Sequence, residues 1–181
     1  SHSVVAQGRQ VLMNLLHRGA CGCEADTGDG AGILIQMPDR FLRKVTGLVG
    51  ITLPPAGCYG AGFVFLPHAE AVREQIRTLI ETIVAEEGQR VLGWRKVPTD
   101  DRSVGASAVS AEPVFEQLFI GADPSCDPAD AGGRARFERK LYVIRKRAEH
   151  AVDRMSGPES RAFYIPSLSS NTLIYKGMLT A

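Results

Sequence analysis

A chain of 181 residues with 44% hydrophobic and 23% charged side chains has the composition of an ordinary globular domain, which excludes disordered, collagen-like and coiled-coil chains. The formal net charge of +1 gives no general reason to expect nucleic acid or an anionic membrane as a partner. No apolar run approaches the roughly 18 residues of a membrane-spanning helix, and the polar N-terminus lacks a signal-peptide pattern, so a cytoplasmic location is expected.

Apolar residues recur with the period of a helix in three segments and form short apolar, mostly β-branched or aromatic, runs in six others. In chain order, the predicted elements are a helix at 3–17, strands at 31–36 and 60–66, a helix after Pro67 that ends at Gly88, strands at 89–97 and 114–120, a helix at 133–155, and strands at 162–167 and 172–176. Residues 39–57 look irregular, with a clear break at Pro54 and Pro55.

Short connections between some of the predicted strands indicate antiparallel pairing. Only a Ser-Ser-Asn turn separates the last two strands, which predicts that they form a hairpin. The apolar character of the strands suggests sheets that are covered on both faces. Together these features favour a layered α+β architecture, and no linker is rich enough in turn residues to divide the chain.

The four cysteines, Cys21, Cys23, Cys58 and Cys126, do not form the dense framework of a small secreted domain. A structural zinc site usually takes about four ligands, with two to four residues between paired cysteines. One C-x-C pair and two distant single cysteines do not match that spacing. We therefore expect reduced thiols rather than a zinc or iron–sulfur site.

The loop at 20–32 contains four glycines and three acidic residues. Its glycines permit positive φ and close approach of another backbone, and the preceding Arg18 presents a rigid fork of donors suited to a carboxylate or to carbonyl oxygens. A structural turn, part of a ligand or catalytic site, and a phosphate-binding loop are the three interpretations. The phosphate interpretation is the weakest, because the loop leads into a strand and lacks both common glycine-rich phosphate motifs.

Candidate nucleophiles near this loop lack a clear pairing base. Cys21 and Cys23 lie inside the loop, and the nearest histidine in sequence is His17, for which a structural role at a helix end is the alternative. Ser1 has the chemistry of an N-terminal hydrolase nucleophile, whose own amine serves as base. A chain that starts with serine does not by itself indicate processing.

Two of the predicted helices carry opposite charges. Between Arg134 and Arg154 there are eight basic and three acidic residues, whereas five glutamates lie in or next to the helix that follows Pro67. We expect both to be solvated faces; an acidic partner or RNA is the alternative for the basic face, although no aromatic residues are interleaved in an RNA-binding pattern. Trp94 is expected to be a packing residue rather than a substrate platform.

Six motifs follow one another along nearly the whole chain. They are LHRGACGC at 16–23, TGDGAGILI at 27–35, GAGFVFLP at 60–67, VLGWRKVP at 91–98, FERKLYVIRKR at 137–147 and FYIPSLSSNTLIYKGM at 163–178. In this order they resemble the amino-terminal glutamine amidotransferase (glutaminase, class II) domain of the large subunit of glutamate synthase.

The resemblance implies an N-terminal-nucleophile hydrolase fold, a four-layer α/β/β/α sandwich, with residues 1–181 as a partial class II glutamine amidotransferase domain. A cysteine at the mature N-terminus would attack the side-chain amide of glutamine, and water would hydrolyse the thioester to glutamate. The released ammonia would reach a later barrel domain that holds FMN and an iron–sulfur cluster, where it reacts with 2-oxoglutarate. No cofactor is expected in this segment.

The same resemblance implies that the reactive groups are not among these residues. In the family, the nucleophilic cysteine lies before the position of Ser1, and the arginine that binds the substrate carboxylate and the Asn-Gly oxyanion donors come after Ala181. We therefore expect no catalytic or metal-binding residue in the chain, which alone would be inactive. Arg18 is the one candidate for ordering the site, with a purely structural role as the alternative. Asn171 stands where the family commonly has arginine, so a local substrate or interdomain contact there is in doubt.

The implied partners are glutamine as the substrate of the intact domain, the remaining domains of the same polypeptide, and a small electron-transfer subunit. Nucleic acid and membrane are not expected as partners. A different class of function is a non-catalytic, amidotransferase-like binding or regulatory module that has kept the scaffold.

Overall fold

A computed structural model describes residues 2–15, 30–102, 104–155, 157 and 162–177. Its elements are α1 (His2–Asn14), β1 (Ala31–Gln36), α2 (Asp39–Gly47), β2 (Tyr59–Leu66), α3 (Glu70–Glu86), β3 (Arg90–Lys96), α4 (Ala106–Ala111), β4 (Val114–Gly121), α5 (Ala131–Asp153), β5 (Tyr164–Ser169) and β6 (Thr172–Gly177). Residues 34–99 and 113–175 form one compact unit, and the described residues of 1–33, 100–112 and 176–181 belong to another. None of the helices described in these ranges is long and apolar enough to cross a membrane.

The larger unit contains a four-stranded sheet with the order β3-β4-β2-β5, in which every neighbouring pair is antiparallel. Along the central pair, Tyr59 lies opposite Gly121 and Leu66 opposite Val114. The predicted α+β class is confirmed by this combination of an antiparallel sheet with separate helices.

Strand β2 is buried on both faces. Side chains alternate between the faces of a strand, and Tyr59 and Ala61 enter one buried cluster while Val64 and Leu66 enter another. Gly60 points to the same face as Val64, where a Cβ atom on it would lie 2.5 Å from Cδ1 of Leu141. The absence of a side chain at position 60 therefore allows helix α5 to lie directly against the strand.

Two hydrophobic cores cover the two faces of this sheet. The core on the helix side joins the sheet to α3 and α5, whose buried residues recur at the predicted helical spacing: Ile76, Ile80, Ile83 and Val84 on α3, and Phe137, Leu141, Ile144, Ala148 and Val152 on α5. The core on the opposite face contains Leu42, Ile51, Leu53, Tyr59, Ala61, Phe119 and Leu173. These residues come from α2, from the segment after it and from β6, as well as from the sheet itself.

The expectation that residues 39–57 are irregular is wrong for their first half, which forms α2. Arg43 donates to Asp39 across one helical turn (3.0 Å) and to the carbonyl of Leu53 (2.8 Å), so one side chain joins the helix to the segment that follows. The buried Tyr59 hydroxyl donates to the other oxygen of Asp39 at 2.9 Å. Only two of the nine residues of α2 are buried, so the sequence shows no run of apolar residues at helical spacing there.

These contacts also shift the ionisation of the two groups. The hydrogen bond from Arg43 lowers the pKa of Asp39, an effect that burial opposes and the Tyr59 hydroxyl reinforces. Burial raises the pKa of Tyr59, and the carboxylate of Asp39 raises it further. Tyr59 therefore stays a neutral hydrogen-bond donor, and Asp39 a charged acceptor, at neutral pH.

The prediction of a hairpin at the end of the chain is also wrong. Strand β5 pairs with β2 in the four-stranded sheet, whereas β6 pairs with β1 in a separate two-stranded sheet. The amide of Met37, just after β1, donates to the carbonyl of Asn171, just before β6, so β1 and β6 run in opposite directions. The Ser-Ser-Asn segment is thus a corner that carries the chain from one sheet to the other.

The charged faces of α3 and α5 meet at the end of α3, where residues of the two helices pair, so the expectation of two separate solvated faces is wrong for that contact. Lys140 donates to Glu87 at 2.8 Å, and Arg147 bonds to Glu87 at 2.7 Å and to Glu86. The side chain of Glu87 is only 14% exposed. Opposite charge on the two helices therefore joins them along the outside of the core.

The position of Glu87 predicts a pH-dependent contribution to stability. Hydrogen bonds from Lys140 and then from Arg147 lower the pKa of Glu87 below its ordinary value of 4.5. Because the unfolded chain binds this proton more tightly, the stabilisation is present above pH 4.5 and is lost as the pH falls through the folded-state pKa. We expect Glu87→Gln to lower the free energy of unfolding at neutral pH by roughly 1–2 kcal/mol, and to change it little at strongly acidic pH.

Urea denaturation of the wild type and Glu87→Gln, at neutral and at strongly acidic pH, measures the difference in the free energy of unfolding. Glu70→Gln, at an exposed position in the first turn of α3, is the matched control and should change the neutral-pH value less than Glu87→Gln does, since it removes only an exposed charge near the helix N-terminus. Identical stability of the wild type and Glu87→Gln at neutral pH would contradict the prediction.

Cys58 and Cys126 form a disulfide, with 5.9 Å between their Cα atoms, so the expectation of reduced thiols is wrong for these two residues. Cys58 is buried just before β2, and Cys126 lies in the loop that precedes α5. The bond joins segments that are 68 residues apart in sequence. Spacing along a chain does not reveal such tertiary proximity, and for that reason the pairing could not be predicted.

Closing a loop of this length should stabilise the folded chain by about 4 kcal/mol, through the entropy that the unfolded chain loses. We expect Cys126→Ala to lower the urea midpoint under oxidising conditions, and the difference from the wild type to shrink when a reductant opens the bond. Peptide mapping without reductant should recover the segments of Cys58 and Cys126 as one cross-linked species. Two free thiols in the oxidised protein would show that the bond is absent.

Candidate functional site

The residues that the sequence singled out around the glycine-rich loop lie outside the described residues. This applies to Arg18, the candidate for ordering a site, and to His17, Cys21 and Cys23, as well as to Ser1. Their roles stay predictions. Of the positions that the sequence linked to function, Asn171 is described, and it leads to the corner between β5 and β6.

A carboxylate from α5 fixes this corner. Glu138 accepts hydrogen bonds from the Ser169 hydroxyl at 2.5 Å, the Ser170 amide at 2.8 Å and the Ser170 hydroxyl at 2.6 Å. The Ser169 oxygen in turn accepts from the amides of Asn171 (3.0 Å) and Thr172 (3.2 Å). Hydrogen bonds to an ionised acceptor are stronger than neutral ones, so Glu138 determines where the chain changes sheets.

Asn171 is exposed at the rim of a groove that has a volume of about 650 Å³. Helix α5 forms one wall of the groove, and β5 with the corner forms the other. The α5 wall presents Glu138, Arg139, Tyr142 and Arg145. Asn171 is the position for which the sequence left the presence of a substrate or interdomain contact in doubt. It borders a surface groove that several arginines line.

A buried polar chain connects the two sheets. Gln117 on β4 is completely buried; its side-chain oxygen accepts from Arg95 at 2.8 Å, and its side-chain nitrogen donates to the Tyr175 hydroxyl on β6 at 3.2 Å. Phe63, which lies opposite Gln117 in the sheet, packs edge-on against Tyr175 with 5.5 Å between ring centres. Burying an amide costs free energy unless it is hydrogen-bonded. In Gln117 both the side-chain oxygen and the side-chain nitrogen are hydrogen-bonded.

A partly buried ion pair lies on the helix side of the same sheet. Arg77 on α3 donates to Glu116 on β4 at 3.0 Å and lies 5.6 Å over the ring of Trp94. The indole nitrogen of Trp94 donates to Glu81 at 2.8 Å. Burial lowers the pKa of Arg77, but Glu116 and Glu74 together raise it above its ordinary value, so the guanidinium stays charged. The expectation that Trp94 is a packing residue is confirmed.

Neither Cys58 nor Cys126 presents a free thiol, since they are bonded to each other. Within the part of the chain that the structure describes, no group of three or more His, Cys, Asp or Glu side chains is arranged to hold a metal ion. The described residues therefore form a scaffold with a fixed corner and a groove, and they supply neither a thiol nucleophile nor the ligands of a metal cluster.

Comparison with known proteins identifies this α+β scaffold. The family model of the class-II glutamine amidotransferases matches residues 1–181, so the chain belongs to that family. The expectation drawn from the six sequence motifs is thereby confirmed.

Relatives within the family carry the name glutamate synthase. The chain is 44% identical over 180 residues to the NADPH glutamate synthase large chain of Bacillus subtilis, covering 99% of this chain and 11% of that protein. It is 39% identical to the NADH glutamate synthase of Schizosaccharomyces pombe, over 99% of this chain and 8% of that protein. It is 34% identical to the ferredoxin-dependent glutamate synthase of Pyropia yezoensis, over 99% of this chain and 11% of that protein. The chain thus spans about a tenth of the length of these relatives.

Sequence reasoning missed Glu138 and Gln117, the two residues that fix the corner and connect the sheets. Glu138 was counted among the charges of a solvated helix face, although it directly follows the buried Phe137. Gln117 had a clearer signal, because the pair Glu116-Gln117 interrupts an apolar strand. Polar side chains in the middle of a buried strand need partners. Glu116 is bonded to Arg77, and Gln117 is bonded to Arg95.

Removing the charge of Glu138 tests the role of the corner. We expect Glu138→Gln to lower the free energy of unfolding by about 1–3 kcal/mol, because an amide nitrogen would face donors that now bond to a carboxylate. Hydrogen exchange at the amides of Ser170, Asn171 and Thr172 should accelerate more than exchange in β2. Arg136→Gln, an exposed position on the same helix, is the control. Unchanged exchange at the corner would show that Glu138 does not hold it.

Proposed function

We propose that the chain is part of the glutaminase domain of a glutamate synthase. This domain hydrolyses glutamine to glutamate and ammonia, and the whole enzyme transfers the ammonia reductively to 2-oxoglutarate. The observation that carries the proposal is the 34–44% identity to glutamate synthases over 99% of the chain. Those relatives are named for NADPH, NADH or ferredoxin, so the similarity follows the shared amidotransferase part rather than the electron donor.

The fold that accompanies this function is a partial four-layer α/β/β/α sandwich of the N-terminal-nucleophile hydrolase type, formed by residues 1–181 as one partial domain. Two features support it. Helices α3 and α5 cover one face of the four-stranded antiparallel sheet, and residues of β6, from a second sheet, enter the core on its other face. The buried chain from Gln117 to Tyr175 joins those two sheets directly.

In this proposal, residues 1–181 hold the scaffold and the reacting groups lie elsewhere in the polypeptide. A cysteine before the position of Ser1 supplies the thiolate, and donors beyond Ala181 bind the substrate carboxylate and the oxyanion. Arg18 acts as a positioning residue that orders the segment beside the nucleophile, since the donor fork of an arginine suits several oxygens in a fixed geometry. Cys21 and Cys23 take no part in the reaction.

FMN and an iron–sulfur cluster belong to other domains of the enzyme. The described residues do not fit an iron–sulfur cluster, because Cys58 and Cys126 are bonded to each other and no group of metal ligands is arranged around them. No step of the proposed glutaminase reaction involves either group. The partners of the domain are glutamine, the remaining domains of the polypeptide and a small electron-transfer subunit, in the cytoplasm.

Glutaminase assays on the full-length protein and on the 181-residue chain test the proposal. The full-length protein should release equal amounts of glutamate and ammonia from glutamine, and the isolated chain should release neither. In the full-length protein, Cys21→Ser and Cys23→Ser should retain activity, whereas Arg18→Ala should lower kcat by roughly 10–100-fold, through misplacement of the reacting groups. Arg9→Ala, outside the motif, is the control.

Two results would count against the proposal. Ammonia release by the isolated chain that is lost in Cys21→Ser or Cys23→Ser would place the nucleophile inside these residues. A full-length protein that binds partners but hydrolyses no glutamine would favour the non-catalytic, amidotransferase-like module.

A further inference from the structure

The lining of the groove between α5 and the β5–β6 corner contains more cationic than anionic side chains. Three arginines line it, Arg134, Arg139 and Arg145, against a single carboxylate, that of Glu138. That carboxylate already accepts three hydrogen bonds from Ser169 and Ser170. Its oxygens are therefore bonded to the corner rather than to an arginine.

Arg139 differs from most other basic residues of α5. Lys140 and Arg147 bond to glutamates at the end of α3, and Arg136 bonds to Asp130. By contrast, no carboxylate among the described residues lies within bonding distance of Arg139, whereas Arg134 donates to a backbone carbonyl and Arg145 lies 3.7 Å from Glu149. Arg139 is therefore the groove arginine whose guanidinium donors are left without a partner among the described residues.

The wall of α5 also carries an exposed aromatic ring. Tyr142 is 56% exposed, and the Arg145 guanidinium lies 5.8 Å from the centre of its ring. Tyrosine and arginine together are the side chains most enriched at the energetic centres of protein interfaces. The groove therefore combines apolar contact area with charge, as a surface that binds a polypeptide does.

The opposite wall does not favour an occupant that adds a strand to the sheet. Strand β5 is an edge strand of its sheet, but Pro166 has no amide to donate, and its carbonyl is already bonded to Arg145 at 3.1 Å. An edge of this kind resists pairing with another strand. Recognition in the groove consequently depends on side chains, with a carboxylate as the natural acceptor for the unpaired guanidinium of Arg139.

We propose that this groove docks an acidic segment of the same polypeptide that lies outside residues 1–181. The segment carries carboxylates, one of which meets Arg139, and an apolar side chain that covers Tyr142. The choice of a segment in cis rests on the proposed function, because the glutamate synthase relatives are about ten times as long as this chain. Docking there joins the amidotransferase scaffold to a neighbouring part of the enzyme through the corner that Glu138 fixes.

Site-specific photo-crosslinking in the full-length protein tests this proposal. A p-benzoylphenylalanine in place of Tyr142 reports what covers the groove, and the same residue in place of Val143, which is 37% exposed and does not line the groove, is the positional control. We expect a cross-link within one polypeptide, to a segment outside residues 1–181 that carries at least two Asp or Glu residues near the attachment point. Its yield should fall at least about fivefold with Arg139→Glu and should fall with added salt.

Arg136→Glu is the matched charge control, since it lies on the same helix but outside the groove, and the yield should persist in it. A cross-link to a neutral or basic segment, to a second copy or to a separate protein would overturn the proposal, as would a yield no higher than that of the Val143 control. Glutaminase activity of the same preparation reports the proposed function separately, so a failure of docking is distinguishable from a failure of that function.

Discussion

Strand β2 packs against helices through one face and against α2, its following segment and β6 through the other, so its residues must satisfy two cores at once. Tyr59 and Ala61 serve one core and Val64 and Leu66 the other. Each large apolar side chain buried in this way contributes about 1.5–3 kcal/mol. Gly60 is part of the same constraint, because any side chain there would collide with α5. The register of the sheet and the distance of the helix both follow from this double burial.

The position of α5 in turn determines where the corner and the groove lie. Leu141 lies against Gly60, which places Glu138, one helical turn earlier, where it reaches the serines at the end of β5. Since Ala61 of β2 lies opposite Ser169 of β5, the sheet delivers that serine to the same place. The corner then directs β6 into the second sheet, and the groove forms between the corner and the helix. The corner and the groove therefore both follow from the way in which α5 packs against β2.

Most elements could be predicted because their apolar residues had a clear period, as in α3, α5 and β2. Helix α2 could not, because its stability comes from the contacts that Asp39 and Arg43 make with residues distant in sequence. The corner was mistaken for a hairpin because a three-residue connection fits both, and Glu138, which decides between them, is 31 residues away from Ser169. The disulfide and the groove depend on tertiary proximity in the same way. The family could be recognised, since its motifs are local and ordered.

If residues 1–181 form the scaffold of an amide-cleaving domain whose attacking sulfur lies elsewhere, an electrophilic analogue of glutamine will identify that sulfur. The full-length protein would be treated with a chloroketone analogue and digested, and the modified residue would be located by mass spectrometry. The predicted result is one modified cysteine outside residues 1–181, with glutamine protecting it. Modification of Cys21, Cys23, Cys58 or Cys126 that glutamine prevents would contradict the assignment of these residues to the scaffold alone.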